Sequence, residues 1–176
     1  MNAIPETRQQ LAFIALGSNL GNSIEIISRA MTQLEKSSSA NLLKSSLWQT
    51  TPVDCPPGSP AFVNAMVGLS PLPNETPERL LEKLQQLENE FGRQPKKVLN
   101  EARPLDLDLI AFGNETRISE KLTLPHPRAH ERRFVLQPFS EIAPDLIFPN
   151  QTKTVSELLH SLSTSEVLTR LGGSVA

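Results

Sequence analysis

Asp106 and Asp108 are the residues of this chain best placed to do chemistry. They lie in Arg103-Pro104-Leu105-Asp106-Leu107-Asp108-Leu109-Ile110, where Leu and Asp alternate with period two, as in a strand with one face buried. Positions i and i+2 of a strand lie about 6.5–7 Å apart on one side, so the two carboxylates are neighbours. Asp is depleted in strands and like charges on one face repel, a repulsion that a cation between them would remove. Hard carboxylate oxygens suit Mg²⁺, which is commonly held by one or two carboxylates plus substrate phosphates. A bare Asp-x-Asp is more often acidic decoration on a solvated edge strand, by roughly three to one. The surroundings therefore decide.

About half of the 17 Lys and Arg residues fall between Arg93 and Arg133. Arg93, Arg103, Lys121, Arg128, Arg132 and Arg133 are all candidates for anion contacts. The planar guanidinium fork donates two parallel hydrogen bonds and so suits phosphate. A carboxylate pair wrapped in basic loops is what a Mg²⁺–nucleotide requires. Glu101, Glu115, Glu120 and Glu131 are interspersed, as on an ordinary charged surface. Gly17-x-x-x-Gly21 is a weak phosphate-loop hint with no Gly-Lys-Ser/Thr after it, so a tight strand-to-helix turn is favoured there.

The elements that must position these residues can be read in order. Leu11–Leu16 is a continuous apolar run, consistent with a buried central strand. Asn22 or Ser23 can cap a helix to about Lys36, with Ile24, Ile27, Met31 and Leu34 on one face. Residues 41–49 read as a second strand and Ala61–Leu69 as its antiparallel partner, joined by a rigid Pro-rich loop from Thr50 to Pro60. Such long loops are often functional. Asn64 sits among apolar neighbours and must find hydrogen-bond partners, in backbone or in a polar ligand. Thr76-Pro77-Glu78 starts a helix that Gly92 ends, with Gln85 and Glu88 sharing a face. The Asp strand follows, then a hairpin over 116–124, a Pro125-His126-Pro127 corner, a helix within 128–141 and a short helix over 155–162. The succession is βαββαβ, that of a ferredoxin-like α+β sandwich with an added C-terminal hairpin and helices. The first and fourth strands are expected to be central, placing the Asp pair mid-molecule.

A single domain is expected over 1–176, with 1–9 a loose leader, 10–162 the catalytic part and 163–176 a peripheral tail. Net charge is −2, which provides no global basic field for nucleic acid. No apolar run reaches membrane-spanning length, residues 1–10 lack a signal-peptide core, and the one Cys cannot form an internal disulfide. A cytoplasmic monomer, binding neither nucleic acid nor membrane, is the expectation.

Four stretches together resemble the 6-hydroxymethyl-7,8-dihydropterin pyrophosphokinases of folate biosynthesis. They are Ile14–Gly21, Phe62-Val63-Asn64-Ala65, Arg103–Asp108, and Leu124-Pro125-His126-Pro127 continuing to Arg132-Arg133-Phe134-Val135-Leu136. The resemblance overturns the odds against the Asp pair. It implies transfer of the terminal diphosphate of ATP to the 6-hydroxymethyl oxygen of the dihydropterin, with release of AMP. It also implies that Asp106 and Asp108 ligate two Mg²⁺ ions and that Arg93 and Arg103 bind phosphate. Gln85, Glu88, Leu109, Lys121, Thr123, His126 and Arg132 match positions around ATP. Thr50, Thr51, Pro52 and Val53 match the loop that meets the pterin edge, and Asn64 matches the pterin-reading Asn. Phe62 and Phe134 match the aromatic pair that sandwiches the ring. His130 and His160 are left as surface residues.

The match departs in places. Asn100 stands where many members have a Trp that closes over the site, and Pro95 where some have an ATP-binding Arg, with Lys96 or Lys97 as substitutes. Phe62 replaces a Tyr, and Pro127 follows His126 where another member has Tyr. Two other readings compete. One is a non-catalytic pterin- or nucleotide-binding module on the same fold, and the other a metal-dependent phosphoesterase acting on nucleic acid.

Overall fold

The computed structural model describes residues 10–52, 55–94, 97 and 101–172. The leader at 1–9, Val53, and the departures at Pro95, Lys96 and Asn100 lie outside the described residues. β1 (Ala12–Ser18) is the apolar run read from the sequence, and it is central, with β4 (Phe62–Leu69) on one side and β5 (Asp106–Phe112) on the other, both antiparallel. The second strand is broken into β2 (Leu43–Lys44) and β3 (Trp48–Thr50), each paired with β4. Ser45 causes the break. Its hydroxyl accepts the Met66 N–H at 2.8 Å and donates to Ser46 O, so a side chain stands in for part of the ladder.

β5 is not central, as had been expected. It ends the path β5-β1-β4-β3-β8, in which β8 (Leu168–Arg170) pairs with β3. The outer side of β5 meets side chain and loop: Glu88 Oε2 accepts the Leu107 N–H at 3.0 Å, and the His126 N–H donates to Ile110 O at 2.9 Å. Leu168–Arg170, within the stretch expected to be a peripheral tail, is likewise part of the sheet as β8. The expected hairpin over 116–124 forms as β6 (Arg117–Ile118) with β7 (Thr123–Leu124).

Helices cover both faces. α1 (Ser23–Leu34) is capped by Asn22, whose side chain accepts the Glu25 N–H, and α2 (Pro77–Glu90) by Thr76, whose side chain accepts the Arg79 N–H. α2 ends at Gly92, with φ +91°. Ile27, Ala30, Met31 and Leu34 of α1 are buried, whereas Ile24, expected inward, is half exposed in the first turn of the helix. Leu80, Leu84 and Leu87 of α2 join them over Ile14, Leu16, Leu105, Leu107 and Leu109. On the other face, α3 (Arg133–Ile142) and α4 (Val155–Ser161) pack Val135, Leu136, Phe139, Val155 and Leu158 onto Phe13, Met66 and Ile110. No helix among the described residues is long and apolar enough to cross a membrane.

Candidate active site

The second core stops short of one end of the sheet, and the residues there are small or polar. Gly17 is the register partner of Asp106 on one side and of Asn64 on the other. Ala15 is likewise the partner of Asp108 and of Met66. Asn64 and Asp106 are therefore two strand spacings apart, about 10 Å, on one row and one face. Nothing larger than an alanine methyl stands between them on β1. A cleft of about 610 Å³ opens over this row.

Gly17 is needed for space rather than for backbone freedom. A Cβ at this position would lie 3.2 Å from Asn64 Oδ1 and 3.9 Å from Asp106 Cβ. Gly17→Ala is expected to lower kcat/KM roughly ten- to a hundredfold, the cost of displacing a positioned group by a fraction of an ångström. The melting temperature should stay within a few degrees of wild type. Steady-state kinetics beside a melting curve checks this, and unchanged kcat/KM would show that the row tolerates a methyl.

Around the Asp pair the charges are locked together. Arg93 pairs with Glu88 and donates to Asp106 Oδ1 at 3.1 Å, and Arg103 lies 3.6 Å from Asp106 Oδ2. Burial, reinforced by the charges of Asp106 and Glu88, pushes the Asp108 carboxyl up to about 7 against the opposing pull of Arg132 and Arg103. Burial also raises Glu88, despite its bond from the Leu107 N–H and the Arg93 charge. Burial, then Arg132 and Arg128, hold the His126 imidazole below its ordinary value. His126 Nδ1 accepts the Arg128 N–H at 3.2 Å, which leaves the proton of the neutral ring on Nε2. The site thus gathers a neutral imidazole donor, four arginines and a carboxylate pair one member of which is reluctant to ionise.

At the other end of the row, Asn64 is 6% exposed and its amide donates to Thr50 Oγ1. Its Oδ1 faces the space above Gly17. Phe62 and Phe134 both line the cleft, and the Arg132 guanidinium sits 5.4 Å from the Phe134 ring centroid, a cation–π contact.

Most of the residues singled out from the sequence meet here. Thr50, Thr51, Gln85, Glu88, Arg93, Arg103 and His126 line the cleft with those just described. Leu109 does not: it is 3% exposed and points into the core with Leu107. Lys121 and Thr123 belong to the β6–β7 hairpin and Pro52 to the loop, and none of the three lines the cleft. His130 and His160 are also outside it. Four contributors went unassigned. Ala15 and Gly17 provide room. Asn19, 2% exposed, accepts the Arg103 N–H on Oδ1 at 2.8 Å, and its own N–H donates to Arg103 O at 3.1 Å, holding the entry to β5 against the end of β1. Glu166, in the segment read as a tail, lines the cleft too. The Ser18-Asn19 polar pair after an apolar run was the available signal for Asn19.

An acidic pair and arginines at one end of a slot, with an amide and two aromatic rings at the other, are groups suited to hold a polyanion and a flat heterocycle together. A model of the 7,8-dihydro-6-hydroxymethylpterin-pyrophosphokinase (HPPK) family matches residues 13–144. The chain belongs to the HPPK family. It is 37% identical over 158 residues to the 2-amino-4-hydroxy-6-hydroxymethyldihydropteridine pyrophosphokinase of Haemophilus influenzae, covering 89% of this chain and 96% of that one. It is 39% identical over 133 residues to the Bacillus subtilis pyrophosphokinase of the same name, covering 75% of this chain and 77% of that one. Among solved structures, a Plasmodium falciparum HPPK-DHPS chain superposes with a TM-score of 0.68 at 15% identity, over 86% of this chain and 45% of that chain, a likeness of fold.

Proposed function

We propose that this chain transfers the terminal diphosphate of ATP to the hydroxymethyl oxygen of 6-hydroxymethyl-7,8-dihydropterin in folate biosynthesis, releasing AMP. A bond forms from that oxygen to the β-phosphorus, the bond from the α,β-bridging oxygen to the β-phosphorus breaks, and the hydroxyl proton is lost. The observation that carries the reading is the row Asn64–Gly17–Asp106, which sets an amide and a carboxylate on one face across three adjacent strands.

The amide of Asn64 can donate and accept at once, as a pterin edge requires, with Thr50 and Thr51 beside it. Phe62 and Phe134 offer ring faces for stacking. Arg93, Arg103 and Arg132 would meet phosphate oxygens, with His126 donating from Nε2. The pairing of Arg93 and Arg103 with Asp106 supports an exchange on binding, in which the arginines turn from carboxylate to phosphate. Asp106 and Asp108 would hold Mg²⁺, as two ions. Among the described residues no group of three or more His, Cys, Asp or Glu forms a metal cage. Two carboxylates completed by substrate phosphates is a usual Mg²⁺ arrangement, and a cation would favour the ionised form of Asp108, which is reluctant to ionise beside Asp106 and Glu88 without one. When bound, Mg²⁺ would neutralise phosphate charge and lower the pKa of the substrate hydroxyl. The order fourth, first, third, second across the sheet supports a ferredoxin-like core, with the unit extending to residue 170.

The test is AMP release from ATP and Mg²⁺ with and without the pterin. AMP formed only with the pterin is expected. Pterin binding without AMP formation would leave a binding module instead.

A further inference from the structure

We infer that Glu166 is a positioning residue for the pterin end of the site, acting through the first turn of α3; this rests on the function proposed above. Glu166 is 9% exposed, and its Oε2 accepts the Arg133 N–H at 2.9 Å. Arg133 opens α3, and Arg132 at the N-cap supplies no side-chain cap of its own. The first N–H groups of a helix have no partner within it, and a carboxylate there is favoured by the helix dipole. α3 thus takes its cap from a residue 33 positions away in sequence. The capped turn carries Arg132 and Phe134, both of which line the cleft.

The same segment grips the opposite wall. The Val167 N–H donates to Thr51 Oγ1 at 3.4 Å, and the Thr51 N–H donates to Val167 O at 3.3 Å. Beyond it β8 pairs Leu168 with Thr50. Thr164 holds the carboxylate, its hydroxyl donating to Glu166 Oε2 at 3.3 Å while accepting the Glu166 N–H at 3.2 Å. Residues 164–168 therefore span the slot from Thr50–Thr51 to Arg132–Phe134 and set its width. They lie beyond residues 13–144, the stretch that the family model matches. The ring site of this chain is accordingly closed by a segment outside that match. The carboxylate's hydrogen bonds are to backbone and to Thr164, and its charge acts on Arg132, so its effect on substrate runs through the first turn of α3.

Glu166→Ala should raise KM for the dihydropterin about tenfold, the loss of one charge-assisted hydrogen bond. KM for ATP should rise by a clearly smaller factor, through Arg132 on the same turn, and kcat should change less than about threefold. Glu166→Gln, which keeps an acceptor oxygen, should restore most of the pterin KM. Thr164→Val, a milder change, should move the pterin KM the same way by a smaller factor, and it carries the test if Glu166→Ala does not fold. Equal rises in both KM values, no rise in either, or Gln behaving as Ala would overturn the assignment. Wild-type enzyme assayed alongside separates this from the function itself: without wild-type turnover the proposed function fails, whereas normal wild-type turnover with an unaffected Glu166→Ala removes only Glu166.

Discussion

Asp108→Asn is expected to lower diphosphoryl transfer by at least about a thousandfold and, in the same protein, to stabilise the metal-free fold. The loss of rate would follow from removing one of the two carboxylates proposed to hold Mg²⁺, a group worth several kcal/mol of transition-state stabilisation, at about 1.4 kcal/mol per tenfold. The gain in stability follows from the same carboxylate. Burial and its acidic neighbours raise its pKa from 3.8 to about 7, so it holds its proton more tightly folded than unfolded. Its contribution is complete below 3.8, declines as the pH rises and is lost above about 7. The metal-free wild type should therefore melt at a lower temperature near pH 8 than near pH 5, and Glu88, also raised by burial, should act in the same direction. Asp108→Asn should flatten that dependence. Melting curves in a chelating buffer across this range, beside steady-state rates with Mg²⁺, check both halves. A variant that keeps its rate would take Asp108 out of the reaction, and a wild type more stable at pH 8 would contradict the electrostatics.

Asn64→Ala should weaken dihydropterin binding about a hundredfold or more, with ATP binding changed less than about twofold. Sites built to hydrogen-bond a substrate lose heavily when the partner disappears, because the substrate's donors and acceptors are left unpaired in a buried slot. Asn64 is almost fully buried and fixed by Thr50, so water does not readily replace it. Asp106 lies on the same row but across Gly17, which would keep the proposed nucleotide end out of reach of the change. Calorimetric titration of each ligand separates the two. Equal losses for both would mean that Asn64 supports the whole sheet end rather than reading the pterin.

The helices and the Asp strand were legible because local signals agreed. Thr76-Pro77 and Gly92 bracket α2, and the Leu–Asp alternation defines the two faces of β5. What was not legible depended on register or on distant partners. Ala15 reads as an ordinary residue of an apolar run and Gly17 as the start of a tight turn until β1 is paired with β4 and β5, when they become the floor of the site. Ser45 gives no local sign that it will break a strand, because its partner, Met66, is 21 residues away. The Leu168–Arg170 strand is three residues long and too short for periodicity, so Glu166 looked like one more polar residue in a tail. Leu109 was matched to the nucleotide by position, yet strand alternation puts its side chain with Leu107 in the core.

The end position of β5 has a further consequence, for colloidal behaviour rather than for chemistry. An outer strand with open backbone groups is a template for another chain to pair with. Here the Leu107 N–H is occupied by Glu88 and the Ile110 carbonyl by the backbone of His126. Two residues that line the catalytic cleft therefore also guard the sheet against self-association. A lineage that lost activity and let Glu88 drift to an apolar residue would face aggregation as well as inactivity.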